Sequence, residues 1–562
     1  MKNLSIIVTV VLLSGFSYIN SQVVYEHVSN TNIYEFLDEL ANNKLIELNS
    51  VIKPYSREFI ADKLLEVKKK ADADKTLLNK RQLKELDFYL HGFQLETDKP
   101  INFSPKTDLF GKNNTLATAI NPLGIYYKDS VFTFSFKPIL GIQYWYNENG
   151  GIHHRWNGFE AYGYIGENLG AYGNLRDNHE SELLIAPEYF IQRRGVPIKG
   201  NPEGGVDYSE SRGGLMYSWK WGSVGLIKDH EVWGSNYNGA NILSGRTPSF
   251  AHIKLQIKPV HWFEFNYMHG WLVSEVIDSA RSYWDGNTYR EVFHNKYIAA
   301  NMFSFFPVRY LNISIGNSII YSDLGVHAAY LIPVLFYKSV DHTLNSTSNY
   351  SGQNSQMFLD ISSRNIKHLN LYFSMFIDEL STTRFGDKNK HNLISYKSGF
   401  RLSNWPVQNV ILTGEYTYTL PITYQHFIST TTFESNKYNL GHYMRDNSRD
   451  LYLSLKYKPF RGLMFDLFYN FAEHGNNFVY GEYEPADEAP VLKDITWKKN
   501  IIGINAKYEL VNNAYLFLRI TFSNIQGFNV DDISAEEYLQ TFTPEYFRGK
   551  TNTLSFGANV GF

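Results

Sequence analysis

The chain contains no cysteine. That excludes disulfides, thiolate metal sites and a lipidated N-terminal cysteine. Charge is sparse as well: 19% of the 562 residues are Asp, Glu, Lys or Arg, against roughly 25% in an average soluble protein. The formal net charge of −3 gives no basis for a nucleic-acid partner. After the N-terminal segment, no apolar run approaches the ~18 residues that a membrane-crossing helix needs. A helical membrane protein is thereby excluded. A β-barrel is not, because only alternate residues of its strands meet lipid and mean hydropathy stays low, here −0.31.

What the chain has in quantity is aromatic: 41 Tyr, 39 Phe and 10 Trp. The first segment, MKNLSIIVTVVLLSGFSYINSQ, sets Lys2 before an apolar stretch from Leu4 to Leu13 and then small and polar residues. This is the layout of a secretory signal peptide, with a cut expected after Ser21, so residues 1–21 are expected to be removed. Residues 22–100 read as a small helical domain. Asn32 with Glu35 predicts a capping box, and Ile33, Phe36, Leu37 and Leu40 share a helical face. Ser56 is placed to cap a second helix bearing Phe59, Ile60, Leu64 and Val67. Asn79 and Gln82 open a third with Leu83, Leu86 and Leu90. Outer faces rich in Lys and Glu predict a domain surrounded by water.

From residue 101 to 562 the period is two. Leu451, Leu453, Leu455 and Tyr457 alternate with polar residues, and after a short turn Leu463, Phe465, Leu467, Tyr469 and Phe471 do the same. Residues 502–510 and 514–522, 159–165 and 169–173, and 215–221 and 224–226 make further hairpins, the last expected to turn at Gly222-Ser223. Connections 272–294, 421–448, 473–498 and 526–550 are instead long and irregular. Short turns on one rim and long loops on the other are the asymmetry of an outer-membrane barrel. At roughly 25 residues per strand and connection, the stretch holds about 18 strands, an even number. The final TLSFGANVGF alternates to its end, Leu554, Phe556, Ala558, Val560 and Phe562 against Thr553, Ser555, Gly557, Asn559 and Gly561. This last strand must pair with the first, because an open edge in lipid leaves backbone groups unsatisfied. The expected fold is all-β and transmembrane: an antiparallel outer-membrane β-barrel of about 18 strands preceded by a small α-helical periplasmic domain. Its terminal Phe562 resembles the signal read by the barrel-assembly machinery, an expected partner beside outer-membrane lipid.

Several stretches resemble the Wzi family of outer-membrane capsule-assembly proteins. They are KPYSREFIADKL in the helical domain, VWGSNYNGANILSGRTPSFAHIKLQIKP with Trp233-Gly234, Leu243-Ser244 and Pro248-Ser249-Phe250, LYFSMFIDEL, and YNLGHYMRDNS. The likeness covers nearly the whole mature chain and is nearest to long versions found in Bacteroidetes-type bacteria, some linked to gliding motility. It implies a non-enzymatic surface lectin that holds or organises exported polysaccharide, with export components as further partners. Alternatives are a porin-like channel for small solutes and, less favoured, a lipid-active barrel enzyme.

A sugar site needs aromatic faces for pyranose rings, planar hydrogen-bonding groups for hydroxyls and cations for acidic sugars. The long loops offer Tyr283, Trp284 and Arg290, then Tyr438, His442, Tyr443 and Arg445, then Tyr480 and Tyr483. Trp233 and Arg246 flank a Gly-rich connection and are expected to line the lumen or fix a loop that plugs it. Lys228, Asp229, His230 and Glu231 read as inward-facing charges paired inside the barrel. His153-His154, adjacent on a strand, point to opposite faces and cannot share one ion. No metal site, catalytic residue or cofactor is expected, and no Walker A or dinucleotide fingerprint is present.

Overall fold

The computed structural model describes residues 22–97, 102–103, 106–109, 116–184, 199–201, 205–323, 325–345, 352–483, 485–530 and 532–561. The expected signal peptide and Phe562 lie outside them. Eighteen strands form a closed antiparallel ring. In chain order they are β1 (Phe132–Asn147), β2 (Gly150–Ile165), β3 (Leu169–Ser181), β4 (Gly205–Trp219), β5 (Gly222–Asp229), β6 (Phe250–Val260), β7 (Phe263–Leu272), β8 (Lys296–Val308) and β9 (Leu311–Ser322). There follow β10 (Asn354–Ser363), β11 (Leu369–Glu379), β12 (Leu393–Ser403), β13 (Val410–Thr419), β14 (Ser448–Phe460), β15 (Leu463–His474), β16 (Trp497–Val511), β17 (Ala514–Gly527) and β18 (Gly549–Val560). The ring closes where β18 pairs with the upper part of β1, Leu554 opposite Tyr146 and Val560 opposite Leu140. The lower part of β1 pairs instead with Leu123–Lys128, the innermost of three short strands that form an apron at the foot of the wall.

Burial along the strands is inverted relative to a soluble protein. Outward Ile502, Ile504, Leu516, Leu518, Ile520 and Phe522 are exposed, whereas inward Ser374, Ser395, Lys397 and Thr413 are fully buried. A soluble monomer does not expose a contiguous apolar belt of this extent. Above the belt the outward parity turns polar, at Arg449, Asn500 and Asn524. Below it Trp221, Trp262 and Phe460 stand exposed at the rim. Between these limits lies roughly 20 Å of tilted strand, the height of a hydrocarbon band.

Short turns such as 261–262, 309–310, 461–462 and 512–513 lie on one rim, and long connections on the other. The turn expected at Gly222-Ser223 falls instead at Lys220-Trp221, since Gly222 and Ser223 already pair with Trp219 and Ser218. The four expected long loops are present. The connection 230–249, whose Gly-rich stretch was expected to line or plug the lumen, is long as well, and the long connections 323–353 and 380–392 were not anticipated.

Three helices precede the barrel: α1 (Thr31–Asn42), α2 (Arg57–Ala73) and α3 (Lys80–Gly92). Phe59 N–H donates to the Ser56 hydroxyl at 3.1 Å, and Asn79 and Gln82 make a reciprocal capping box, each cap contributing about 1 kcal/mol. Ile33, Phe36, Leu37, Leu40, Ile60, Leu64, Val67 and Leu86 form the helical core, while Leu83 is left exposed. The box expected at Asn32 and Glu35 does not form, and the N-cap is Asn30, whose side chain bonds to Glu26 and not to the helix N-terminus. Asn32 and Glu35 point at the barrel instead. Asn32 donates to Glu509 at 2.7 Å, and Glu35 pairs with Lys456.

That departure reflects how the helices sit. α1 presents an acidic row to a basic rim: Glu35 meets Lys456, Asp38 meets Arg364 at 2.7 Å and Arg401 at 3.6 Å, and Glu39 meets Lys458 at 3.5 Å, while Arg81 of α3 pairs with Glu39 from within the helical module. All these carboxylates are largely or wholly withdrawn from water. The expectation of a water-facing charged surface fits α2, with Lys63–Glu66 at 3.1 Å and Lys68–Asp87 at 2.9 Å, but not α1, whose charges stopper the turn-side mouth. Burial alone would raise the carboxyls of Glu35 and Glu39. The cations outweigh it, Lys456, Arg401 and Lys458 at the first and Arg81 and Lys458 at the second, and both fall to about 2.

Two outcomes follow. Leu518→Arg is expected to cost about 2–4 kcal/mol in a folding titration into vesicles, and Gln526→Arg, on the same face above the belt, less than about 1 kcal/mol. Equal costs would reverse the placement of the belt. Because Glu35 and Glu39 titrate below their unfolded value of 4.5, docking is fully stabilised above about that pH and is lost as pH falls through about 2. Hydrogen exchange in α1, corrected for intrinsic rate, should accelerate across that window.

Candidate functional site

The long connection 230–249 does not stand above the barrel but folds into it. Val232–Trp233 pairs on one side with Leu243–Ser244 and on the other with Ile52–Lys53, so a three-stranded sheet ties the helical module to this segment. Positive φ at Gly234, Gly239 and Gly245 permits its tight reversals. Trp233 is fully buried, its indole N–H donating to Glu231 at 3.2 Å. Carboxylates on the wall hold the segment by its backbone. Ser235 donates its N–H and hydroxyl to Asp360 at 2.7 and 2.8 Å, and Tyr237 N–H donates to Glu415 at 2.7 Å. Asn238 and Asn241 side chains donate to Asp450 and to the Ser395 carbonyl, each at 3.0 Å. Glu415 also takes the buried Lys397 ammonium. Arg246 lies 4.2 Å from the Tyr443 ring and donates to the Asn238 carbonyl at 3.3 Å.

Three of the charges at 228–231 are paired inside the wall, but Lys228, expected to face inward, shares the outward parity of Leu226 and donates to the Ser211 carbonyl at 2.7 Å and the Ser249 hydroxyl at 2.6 Å. Asp229 accepts from Arg212 at 2.7 and 3.1 Å, Glu231 accepts from Lys254 at 2.7 Å, and His230 meets Glu210 at 3.2 Å. His27 approaches His230 at 3.4 Å. With Asp229 these histidines have the spacing of metal ligands, but the Arg212 fork already neutralises the carboxylate. The trio fastens the N-terminal segment to the end of β5.

The loop residues proposed for sugar separate into three situations. Tyr283–Asp285 and Thr288–Arg290 form a free-standing hairpin whose two-residue turn carries Gly286 at φ +61°. Trp284 is 68% exposed and faces Tyr289 across the hairpin, ring centroids 5.4 Å apart. Tyr283 is also exposed, and Arg290 lies 3.7 Å from Asp285 with most of its side chain in solvent. Below, Asp278–Arg281, Ser282–Val292 and Arg281–Phe293 contacts staple the hairpin base. Tyr289 belongs to this platform and was not singled out from the sequence; the W-D-G-N-T-Y spacing, which sets the two rings opposite each other across a two-residue glycine turn, was the available signal.

Tyr480 and Tyr483 are half-buried where loops pack on one another. Tyr480 lies against Phe427, Tyr483 lies 4.7 Å from Phe478, and Arg384 bridges to Asp487 at 2.8 Å. Tyr438 is half-buried in a small hairpin with Glu434–Ser435, and Arg445 pairs with Glu434 at 3.3 Å. His442 and Tyr443 are buried, and the expectation that they face an external sugar is corrected. Tyr443 donates to Asp450 at 2.6 Å inside the barrel. Burial, and then Lys397, Arg246 and Lys499, push the His442 imidazole well below its usual range, so it is neutral there. The loop 420–447 turns inward at Leu440, whose carbonyl accepts from Ser244 N–H at 2.8 Å. A local reading of the sequence shows no such dip.

No protein-family model matches the sequence, and no curated protein does. Solved structures match by shape. Wzi of Escherichia coli, an outer-membrane protein involved in group 1 capsule assembly and a carbohydrate-binding β-barrel, aligns over 96% of this chain and 100% of its own at TM-score 0.54 and 11% identity. The fold is that of an outer-membrane β-barrel. OccD3 (OpdP) of Pseudomonas aeruginosa aligns over 75% of this chain and 90% of its own at TM-score 0.40 and 12% identity. OprD of the same organism aligns over 76% and 94% at 0.39 and 9%. These two scores are too low to carry an argument.

Replacing Glu415 with Leu would leave Lys397 buried without its partner and strip acceptors from two backbone N–H groups. A loss of about 3–5 kcal/mol is expected, read as a lower urea midpoint for the closed, fast-migrating form on a gel.

Proposed function

We propose that this protein is a non-enzymatic outer-membrane barrel that binds or organises exported polysaccharide at the cell surface, in capsule or exopolysaccharide assembly. The observation that carries the reading is the internal sheet linking Ile52–Lys53, Val232–Trp233 and Leu243–Ser244, with α1 locked on the rim beneath it. A chain segment bonded to Asp360, Glu415 and Asp450 occupies lumen that a diffusion channel would leave to solutes, which favours the binding reading. Inward Arg519 on β17 keeps solvent exposure, so water enters part of the interior without an open path being implied.

The stapled Tyr283–Arg290 hairpin supports the binding role. Two exposed rings stack on the C–H faces of a pyranose, and a guanidinium beside them suits a carboxylated or otherwise acidic sugar. The helical module is placed in the periplasm by this reading, where it is accessible to export components. A part in gliding motility, as in some relatives of the resembled family, belongs to the same proposal. So does assembly through the C-terminal strand.

A glycan screen on the purified, detergent-solubilised chain should find acidic polysaccharide retained. Trp284→Ala combined with Tyr289→Ala is expected to weaken retention by tenfold or more at unchanged folding. Single-channel recordings of the same preparation should show no stable conductance. A steady open channel, with retention indifferent to both rings, would favour the porin reading.

A further inference from the structure

The connection after β9 carries a second feature of the wall. Residues 325–345 include a short turn of helix at Ala328–Leu331 and α4 (Tyr337–Asn345). This segment packs against the outer face of β7, β8 and β9. Tyr267, Tyr297, Ala299, Ile319 and Tyr321 all have the outward parity of lipid-facing residues, yet each is buried, clustered with Tyr330 and Tyr337 from the segment.

The contact is polar at its base. Asn301 and Asn317 also point outward, where bare hydrocarbon would leave their amides unsatisfied. Asn301 donates to the Pro333 and Leu335 carbonyls, both at 2.9 Å, and Asn317 accepts from Tyr337 N–H at 2.9 Å. Tyr267 donates to the Tyr330 carbonyl at 3.0 Å. The wall thus supplies the hydrogen bonds that irregular backbone at membrane depth requires.

The opposite side of the segment is apolar. Pro333, Leu335 and Tyr337 turn toward the wall, and between them Ile332, Val334 and Phe336 turn away, exposed by 47, 60 and 47%, beside exposed Leu331. Depth comes from the strands. Asn317 stands six positions above Leu311 at the turn rim, and the same rise along β17 from Ala514 reaches Ile520, within the apolar belt. The outer face of the segment is therefore continuous with the lipid-facing surface of the wall.

We propose that residues 325–345 form a flap immersed in the outer leaflet, with Leu331, Ile332, Val334 and Phe336 contacting lipid acyl chains. The flap replaces the wall's own lipid contact over β7–β9, and Asn301, Asn317 and Tyr267 fasten it there. The occupant of its exposed face is hydrocarbon, whatever the barrel binds at its surface.

Because the chain has no native cysteine, single substitutions give unique labels. Val334→Cys and Phe336→Cys, each carrying a nitroxide, would be reconstituted in dioleoylphosphatidylcholine vesicles. Leu518→Cys serves as the belt standard and Trp284→Cys as the water standard. Collision with oxygen and with a neutral nickel chelate is then measured by paramagnetic resonance. Heat-modifiable gel migration identifies the folded fraction, and either flap site alone is sufficient. The expected result is an oxygen-to-nickel ratio within about twofold of the Leu518 site. A ratio matching the Trp284 site would place the flap in water and overturn the proposal. Low collision with both reagents would show a protein cover, a second copy included, and overturn it equally.

Discussion

Hydrocarbon offers no hydrogen bonds, and that single deficit governs the architecture. A strand crossing it must give every N–H and C=O to a neighbour, so the sheet has to close. The pairing of β18 with β1 removes the last free edge. Closure then sorts the side chains. Parity that meets lipid becomes Leu, Ile and Phe, and parity that meets the interior becomes Ser, Thr, Asn, Lys and Glu. In this chain the polar residues are the buried ones.

A polar interior gives the chain a means of filling its own barrel. Carboxylates projecting from the wall receive backbone N–H groups of the 230–249 segment, and cations at the rim receive the acidic row of α1. Breaking one such pair strands a charge away from water, which is costly. These contacts therefore act as registers, fixing where the plug and the helical module sit rather than adding much net stability. The same economy operates outside the wall, where Asn301 and Asn317 interrupt an apolar parity only because a flap backbone meets them.

Local signals in the sequence located the hairpins at 159–173, 451–471 and 502–522, the caps at Ser56 and Asn79 and the closing role of the C-terminal alternation, and missed the turn between β4 and β5 by two residues. Period and turn chemistry depend on neighbours a few residues away. The same alternation identified Leu518 as lipid-facing without any knowledge of its partner strand. Three things were not legible. Glu35 looked like a capping residue because a box is recognised by spacing, while its partner Lys456 is some four hundred residues distant. His442 and Tyr443 looked like surface ligands because a polar aromatic loop reads the same whether it stands up or dips into a lumen. Tyr297 and Tyr321 would have been assigned to lipid by parity, which tells the face of a strand but not what covers it. Trp284 is the candidate residue whose placement most nearly matches what its loop suggested, an exposed ring on a short hairpin.

The account depends on acyl chains, and not a second protein layer, covering the outward parity of the eighteen strands. Sedimentation of the purified chain before and after detergent removal tests this directly. It should be monodisperse and β-rich in micelles, and on removal it should aggregate or partition wholly into added vesicles. A folded, monodisperse protein persisting in plain buffer would contradict the barrel, its plug and the surface role built on them.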